Sequence, residues 1–516
     1  MRMFKDSIHG YMPFPQKICA FIDTAHFQRL RLVKQLGASY RVWPGAAHNR
    51  FEHCLGVAHL ARCMVKHLQE LQPELGITDR DVDCVQLAGL CHDLGHGPFS
   101  HVWDDKFIPV ALPGKRWKHE NASEMMFDDL VAKNHIDLPN NDIQFIKALI
   151  AGDLSSCSES QPPEKPFLFD IVANQRNGID VDKFDYIARD TRVTSDIASS
   201  ICTDRLINCA RVIDNQICYD IKDANMLFEL CHTRYSLHKL IYTHKTARAI
   251  EYMLVDALLA AEPIMHFADH VTNPSKYLYL TDSITELIQM SNDENLCEAQ
   301  AILNRITSRD LYKTVDYKVF PWEWKGHLRK FFSPELIVAA AKSHNPENDE
   351  ERDTLRELST QHIIIDEAVL HYGMGNSNPI DKIRFYSKRK LNECSKAEPG
   401  DISSLMPATF GEVLLRIYTR DVRFFGLIQH GYRLILQDLP PLPEGEFPTS
   451  GLDYPSTPTR AGTASPVRSS GGRVFSNNSF TTVGPGYVPP SPTAEHVKRR
   501  REDGSVLSPR KKLRSG

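Results

Sequence analysis

Apolar residues recur at three- and four-residue spacing through Phe51–Leu71, where Phe51, Leu55, Ala58, Ala61, Val65, Leu68 and Leu71 share one face. That spacing predicts an amphipathic helix. Val82–Leu94 is apolar nearly all round, which predicts a buried helix, and Phe167–Val172, Phe184–Ala188 and the long stretch Asn225–Ala261 read the same way. The helical pattern begins at Asp23 and continues to about residue 340. Before it, residues 1–22 read as irregular or extended, punctuated by His9-Gly10, Pro13 and Pro15. The polar segment Pro346–Thr354 reads as a loop. His362–Ile365 and Ile383–Tyr386 read as short strands flanking the turn-rich Gly373–Pro379, and Phe410–Leu436 returns to helix.

No strand–helix alternation and no Gly-rich phosphate loop are visible, which argues against a Rossmann or P-loop core. No internal repeat is visible either. From about Pro440 the chain turns to Pro, Ser, Thr and Gly with few aliphatics. Such a stretch cannot bury enough apolar area to offset its ordering entropy, so 440–516 is expected to be disordered. The fold expected is mainly α: a helical domain over 1–300, a smaller α+β lobe over 301–439 and a tail over 440–516.

Composition narrows the class. At 516 residues, 42 % apolar and 24 % charged, the chain can bury a large core. The net charge of −4 hides an asymmetry, because 498–516 carries eight basic and two acidic residues, leaving −10 on residues 1–497. An acidic body disfavours a generally basic nucleic-acid coat protein. No apolar run approaches the roughly 18–20 residues of a membrane span, and Met1–Asp6 lacks the apolar stretch of a signal peptide. A secreted or membrane protein is not expected. The 12 cysteines form no C-x-x-C pair, and Cys54, Cys63, Cys84 and Cys91 sit at apolar helical positions, as buried thiols of a reducing compartment do.

Candidate chemistry gathers at His53, His92-Asp93 and Asp182. A lone His-Asp pair carries no signal, and any single histidine is more often a hydrogen-bonded core or surface residue. This pair, however, ends a very apolar helix, where ionisable groups are costly unless something pairs with them. Two imidazoles and two carboxylates make a mixed N/O set suited to Fe, Mn or Zn, and less well to Mg. Gly95, Gly97 and Pro98 then break the helix and leave room for a substrate, with His96 one turn after His92.

The order His…His-Asp…Asp resembles the signature of the HD-domain metal-dependent phosphohydrolases. The segments 48–53, 90–101 and 177–183 resemble more closely the SAM-and-HD-domain deoxynucleoside triphosphate triphosphohydrolases of vertebrates. So do Phe27–Arg31, Asp185–Asp190, His232-Thr233-Arg234, Tyr372-Gly373-Met374 and Asn378–Asp381. The resemblance runs from about residue 4 to about 430, and the chain is expected to start at the catalytic region, without a SAM domain. It makes the helical domain an HD domain and implies cleavage of a dNTP to deoxynucleoside and inorganic triphosphate. It implies His53, His92, Asp93 and Asp182 as ligands of one divalent metal, with Mg accompanying the nucleotide phosphates. It implies His119 with Asp104 as the catalytic pair, and His96 and His101 as α-phosphate or leaving-group contacts. Arg50, Lys183, Arg234 and Lys245 match phosphate-binding positions, Gln35 a contact to the sugar 3′-hydroxyl, and Tyr186, Asp190, His238 and Tyr242 the sugar and base pocket.

The resemblance further implies a homo-oligomer, dimer to tetramer, assembled by GTP or dGTP. Asp23, Gln28 and Arg31 match the guanine-reading residues, and Arg205, Lys222 and Asn225 match further allosteric positions. Asp220 departs, standing where the family has a phosphate-binding arginine, and Thr243 stands where it has Gln. Beyond the resemblance, Lys498–Arg501 and Arg510–Arg514 resemble a bipartite nuclear import signal, implying an import receptor as partner and the nucleus, with the cytoplasm second, as location. An unspecific electrostatic arm is the alternative. Thr457, Ser465, Ser491 and Ser508 each precede a proline, as proline-directed kinase sites do, and a phosphate on Ser508 would offset the charge of Arg510 and Lys511. Two other functions remain open: an HD phosphohydrolase of different specificity, such as a nucleoside monophosphate phosphatase, and a regulatory nucleic-acid-binding protein that keeps the HD fold.

Overall fold

The computed structural model describes residues 1–441 except Arg116, 154–164, 195–200, His344, Glu347 and Pro399. The tail over 442–516, with its basic clusters and Ser/Thr-Pro sites, lies outside the described residues. The fold is mainly α with small sheets, as the apolar spacing predicts.

The chain opens with a two-stranded antiparallel hairpin, β1 (Arg2–Asp6) and β2 (Gly10–Phe14), and helix α1 (Gln16–Ile22). The "irregular or extended" start is thus a paired hairpin, and helix begins at Gln16 rather than Asp23. Its inward side chains, Met12 and Phe14, are fully buried. Helix α2 (Arg50–Leu71) follows the predicted face closely. The Glu52 carboxylate accepts the Asn49 backbone N–H at 3.1 Å, fixing where α2 begins. Helix α3 (Asp79–Cys91) opens on a reciprocal cap in which Thr78 accepts from Asp81 N–H and Asp81 from Thr78 N–H, worth about 1 kcal/mol. Gly89 faces the Ala58 backbone, so α3 packs tightly on α2. Helix α3 stops at Cys91, earlier than the apolar run to Leu94, so His92 and Asp93 lie on the first turn beyond it.

Helices α4 (His119–Lys133), α5 (Asn140–Ala151) and α6 (Val181–Thr194) complete the first part of the core. Two short strands then interrupt the expected helix, β3 (Arg211–Ile213) and β4 (Gln216–Asp220). They are joined at Asp214-Asn215, both at positive φ (51° and 56°), as a tight two-residue hairpin turn needs. The stretch Asn225–Ala261 is not one helix. Helix α7 (Ala224–Leu237) widens into a π turn over His238–Tyr242, and helix α8 (Lys245–Met265) starts afresh from a His244 cap. Helix α9 (Cys297–Thr307) packs beside α8.

The C-terminal part holds a three-stranded antiparallel sheet in the order β5 (Lys313–Pro321), β9 (Gly411–Thr419), β6 (Ile363–His371). Here the sequence reading of Phe410–Leu436 as helix is corrected. Val413, Leu415 and Ile417 alternate into one core while Leu414 fills another, so the central strand is apolar on both faces. A short apolar run of that kind cannot be told from a buried helix by periodicity. The helix proper, α12 (Phe425–Gln437), comes after it, and α10 (Pro334–Ala341) packs on its glycine Gly431. The polar segment read as a loop is helix α11 (Asp349–Glu357). Asn348 caps it, Asp349, Glu350 and Glu351 sit in its first turn where the dipole favours negative charge, and Leu355 is its one buried residue. A second sheet runs β3-β4-β7-β8, with β7 (Phe385–Ser387) and β8 (Lys390–Ser395) in the C-terminal segment. The strand expected at Ile383–Tyr386 is thus two residues late, and that at His362–Ile365 starts at Ile363 and is longer.

Among the described residues no helix is long and apolar enough to cross a membrane. Cys54, Cys84 and Cys91 are buried free thiols and Cys63 is half-buried.

Candidate active site

Three segments distant in sequence bring four donors together. His53 lies one turn into α2, His92 and Asp93 follow the end of α3, and Asp182 sits in the first turn of α6. His53 Nε2 is 3.1 Å from Asp182 Oδ1 and 3.6 Å from Asp93 Oδ2, and His92 Nε2 is 3.5 Å from Asp182 Oδ1 and 3.4 Å from Asp93 Oδ1. Metal–ligand bonds of about 2.0–2.2 Å leave neighbouring ligands about 3.0–3.5 Å apart, so His53, His92 and Asp182 have the spacing of ligands to one ion, and Asp93 turns one oxygen toward each histidine. The ring orientations fit as well. His53 donates from Nδ1 to Asp185 Oδ2 at 2.7 Å and His92 from Nδ1 to the Gly89 carbonyl at 2.9 Å, which leaves both Nε2 lone pairs facing the shared point. His92 Nε2 is buried without a hydrogen-bond partner. Burial opposes charge on His53, yet Asp182 and Asp185 together push its pKa up to about 10. Carboxylates gathered around these rings favour positive charge, which a divalent cation would supply.

Four further residues gather beside them: His96, His101, Asp104 and His119. The His96 and His119 rings stack at 3.9 Å, and His101 lies 5.1 Å from His96 and 5.6 Å from His119. His119 Nδ1 is 2.6 Å from Asp104 Oδ2. That is too close for two ligands of one ion and suits an ion pair. Burial resists protonation of His119, but the Asp104 carboxylate outweighs it and raises the pKa above its ordinary value. His96 is the opposite case: burial, then Arg50 and His119, hold it well below the usual histidine range. One cluster therefore has the spacing of cation ligands, and in the other Asp104 favours the protonated form of His119.

The loop between them is under strain. Phe99 and Ser100 take φ of 58° and 56°, a left-handed pair that costs about 1–3 kcal/mol per residue. Asp282 Oδ1 accepts the Phe99 N–H at 2.6 Å, and Ser100 donates to the Lys34 carbonyl at 2.7 Å while accepting from Arg50 Nε at 3.0 Å. Trp103 packs against Gly97, where a Cβ would enter its ring, and begins the π turn over Trp103–Phe107 that presents Asp104. Such wide turns gather at functional sites, and the second one, His238–Tyr242, faces the same cavity.

That cavity has a volume of about 530 Å³, in the range of small-molecule sites. His53, Asp93, Asp182, His96, His101 and His119 line it, as do Gln35, Arg50, Lys183, Tyr186, Asp190, Arg234, His238 and Tyr242. Arg50 pairs with Asp93, Lys183 Nζ with Asp180 at 2.9 Å, and Arg234 donates to the His371 carbonyl at 2.9 Å. Tyr242 donates to Asp190 Oδ2 at 2.5 Å, and Asp190 Oδ1 takes a hydrogen bond from His48 at 2.7 Å. Lys245 is not brought to the cavity wall; it opens α8, and its carbonyl accepts from Tyr418.

The residues matched to allosteric positions lie outside this lining. Asp23 accepts two bonds from Arg2 at 2.6 and 2.7 Å, and Arg31 donates to Gln28 at 2.8 Å. Arg205 pairs with Asp223 at 2.5 Å, Asp220 Oδ1 accepts the Lys222 N–H, and Asn225 is exposed in the first turn of α7. Several site residues escaped the sequence reading: Asp185, His48, Ser100, Asp282, and the lining pair Arg248 and Glu251. Asp185, three residues after Asp182 on the same helix face, and His48 and Ser100 stand inside the segments that carry the resemblance, whereas Asp282, Arg248 and Glu251 left no signal.

A His, a His-Asp pair and a distant Asp converging inside a helical core define an HD domain. Residues 50–171 match the HD domain family, and residues 201–321 match the HD associated region. Deoxynucleoside triphosphate triphosphohydrolase SAMHD1 of Bos taurus is 40 % identical over 463 residues, covering 83 % of this chain and 77 % of the relative. SAMHD1 of Gallus gallus is 41 % identical over 449 residues, 81 % and 72 % of the two chains. The SAMHD1 homolog of Dictyostelium discoideum is 36 % identical over 454 residues, 87 % and 83 %. The chain belongs to the SAMHD1 family of deoxynucleoside triphosphate triphosphohydrolases.

Ligand spacing separates the two clusters by experiment. Calorimetric titration with Mn²⁺ should give one tight site per chain, lost in Asp182→Ala and kept in Asp104→Asn. Loss in Asp104→Asn with retention in Asp182→Ala would reverse the assignment.

Proposed function

We propose that the protein hydrolyses dNTPs to deoxynucleoside and inorganic triphosphate, in a metal-dependent reaction activated by guanine nucleotide, and so lowers dNTP pools. One observation carries the reading: a cation-spaced cluster and His119, which is paired behind the wall with Asp104, open into one cavity walled by Arg50, Lys183 and Arg234. His53, His92, Asp93 and Asp182 would hold a divalent ion, which would supply Lewis-acid stabilisation at the α-phosphoryl group. The three cations hold a triphosphate of high negative charge, the arginines through their planar forks. As water attacks the α-phosphorus and the bond to the 5′-oxygen breaks, that oxygen needs a proton. Protonated His119, kept charged by Asp104, donates it. Neutral His96 and the open His101 contact the α-phosphate or the departing oxygen. Gln35 meets the 3′-hydroxyl. Tyr242, pinned by Asp190, stands where a ribose 2′-hydroxyl would clash.

Exposed Asp23 and Arg31, with half-buried Gln28 bonded to Arg31, support guanine sensing, since a carboxylate accepts from guanine N1–H and the 2-amino group. Oligomerisation from dimer to tetramer and nuclear import through the tail belong to the same reading. The import proposal is checked by imaging: Lys498–Arg501 changed to alanine should shift a fluorescent fusion to the cytoplasm, and unchanged nuclear signal would contradict it.

Purified protein should release tripolyphosphate and deoxynucleoside from each dNTP, faster with GTP, and His92→Ala should abolish this. Orthophosphate from deoxynucleoside monophosphates, with dNTPs untouched, would favour the other HD phosphohydrolases. His119→Ala should lower kcat about 10²- to 10⁴-fold. Since the active form is protonated and its pKa is raised, kcat/KM should fall as pH rises through that value. Asp104→Asn removes the charge that raises it, so the alkaline limb should move to lower pH; an unmoved limb would refute the pairing.

A further inference from the structure

The carboxylate behind the metal cluster has an unexpected partner. Asp185 is fully buried, and each of its oxygens takes two hydrogen bonds. Oδ2 accepts from His53 Nδ1 at 2.7 Å and Arg189 Nε at 2.9 Å. Oδ1 accepts from Arg189 Nη2 at 2.8 Å and from His9 Nε2 at 2.6 Å. Three of these groups sit on α2 and α6, but His9 comes from the turn of the N-terminal hairpin. That turn is built to present it: Asp6 Oδ1 accepts the N–H of Ile8 at 2.8 Å and of His9 at 3.0 Å, and Gly10 takes φ of 69°. Arg189 then ties the turn down, donating to Asp6 Oδ2 at 2.9 Å. Helix α2 has Gly56 at the contact, where any Cβ would run into the Asp185 carboxylate.

We propose that His9 is a positioning residue of the metal centre, acting through Asp185 on the ligand His53; this rests on the ligand set proposed above. A histidine ligand is aimed by the acceptor on its other nitrogen, and that acceptor aims well only if it cannot turn. Arg189 grips Asp185 along one edge. His9 closes the remaining position on Oδ1, so the carboxylate plane, and with it the His53 ring, is fixed. Without the His9 donor, a buried oxygen keeps one partner and faces a space the size of an imidazole. The carboxylate then tilts toward that space, the His53 lone pair swings off the shared point, and the ion leaves more readily. Residues that orient ligands in this way typically change metal affinity by about 10- to 100-fold.

The full chain loaded with Co²⁺ tests this without substrate. His9→Ala should speed Co²⁺ release to a chelator about 10- to 100-fold and alter the visible d–d bands. His9→Gln, whose amide N–H reaches the place of Nε2–H, should restore both. If His9→Ala does not fold, His9→Leu, which fills the space without a donor, takes its place. Wild-type bands and release rate in the donorless variant would overturn the proposal while leaving the metal centre standing. A wild-type chain that takes up no Co²⁺ would overturn both.

Discussion

Two imidazole nitrogens aimed at one point are the constraint on which the rest of the structure depends. His53 and His92 each spend Nδ1–H on a fixed acceptor, Asp185 and the Gly89 carbonyl. Each therefore turns Nε2 toward Asp93 and Asp182. The fold supplies this by packing α3 on α2 through Gly89 and by letting α6 approach α2 at Gly56. Burying two carboxylates and two imidazoles together would be costly with nothing to balance the charge. Their mutual spacing suits a divalent cation.

Beside that centre the same residue types do different work because their surroundings differ. His96 and His119 stack face to face, yet burial and Arg50 disfavour charge on one while Asp104 favours it on the other. Groups with opposed protonation preferences in one cavity are what acid–base chemistry near neutral pH needs. Arg50 links the two clusters: its guanidinium pairs with the ligand Asp93, and its Nε holds Ser100 in the strained loop between them. The strain at Phe99 and Ser100 is offset by Asp282, which lies far along the chain.

Much of this was legible in the sequence where chemistry follows local spacing. The face of α2, the apolar run of α3 and the glycines after it located His53, His92 and Asp93 before any coordinates. The strands were harder. Central strand β9 is apolar on both faces and looks like helix, whereas the β3–β4 hairpin carried a readable turn signal in Asp214-Asn215. Helix α11 was hidden by its polarity, since it buries only Leu355 and depends on its cap and dipole. The partners of Asp185, His48 and Asp282 were not legible because they are 132, 142 and 183 residues away, a distance no periodicity spans. Lys245 stands apart: it matches a phosphate-binding position in sequence, and its place at the start of α8 is outside the cavity lining.

The central claim is geometric, and anomalous diffraction from crystals grown with Mn²⁺ tests it most directly. The account predicts one strong peak among His53 Nε2, His92 Nε2, Asp93 and Asp182, and none between His119 and Asp104. A peak at His96, His101 and His119 instead, or no peak near His53, would contradict it.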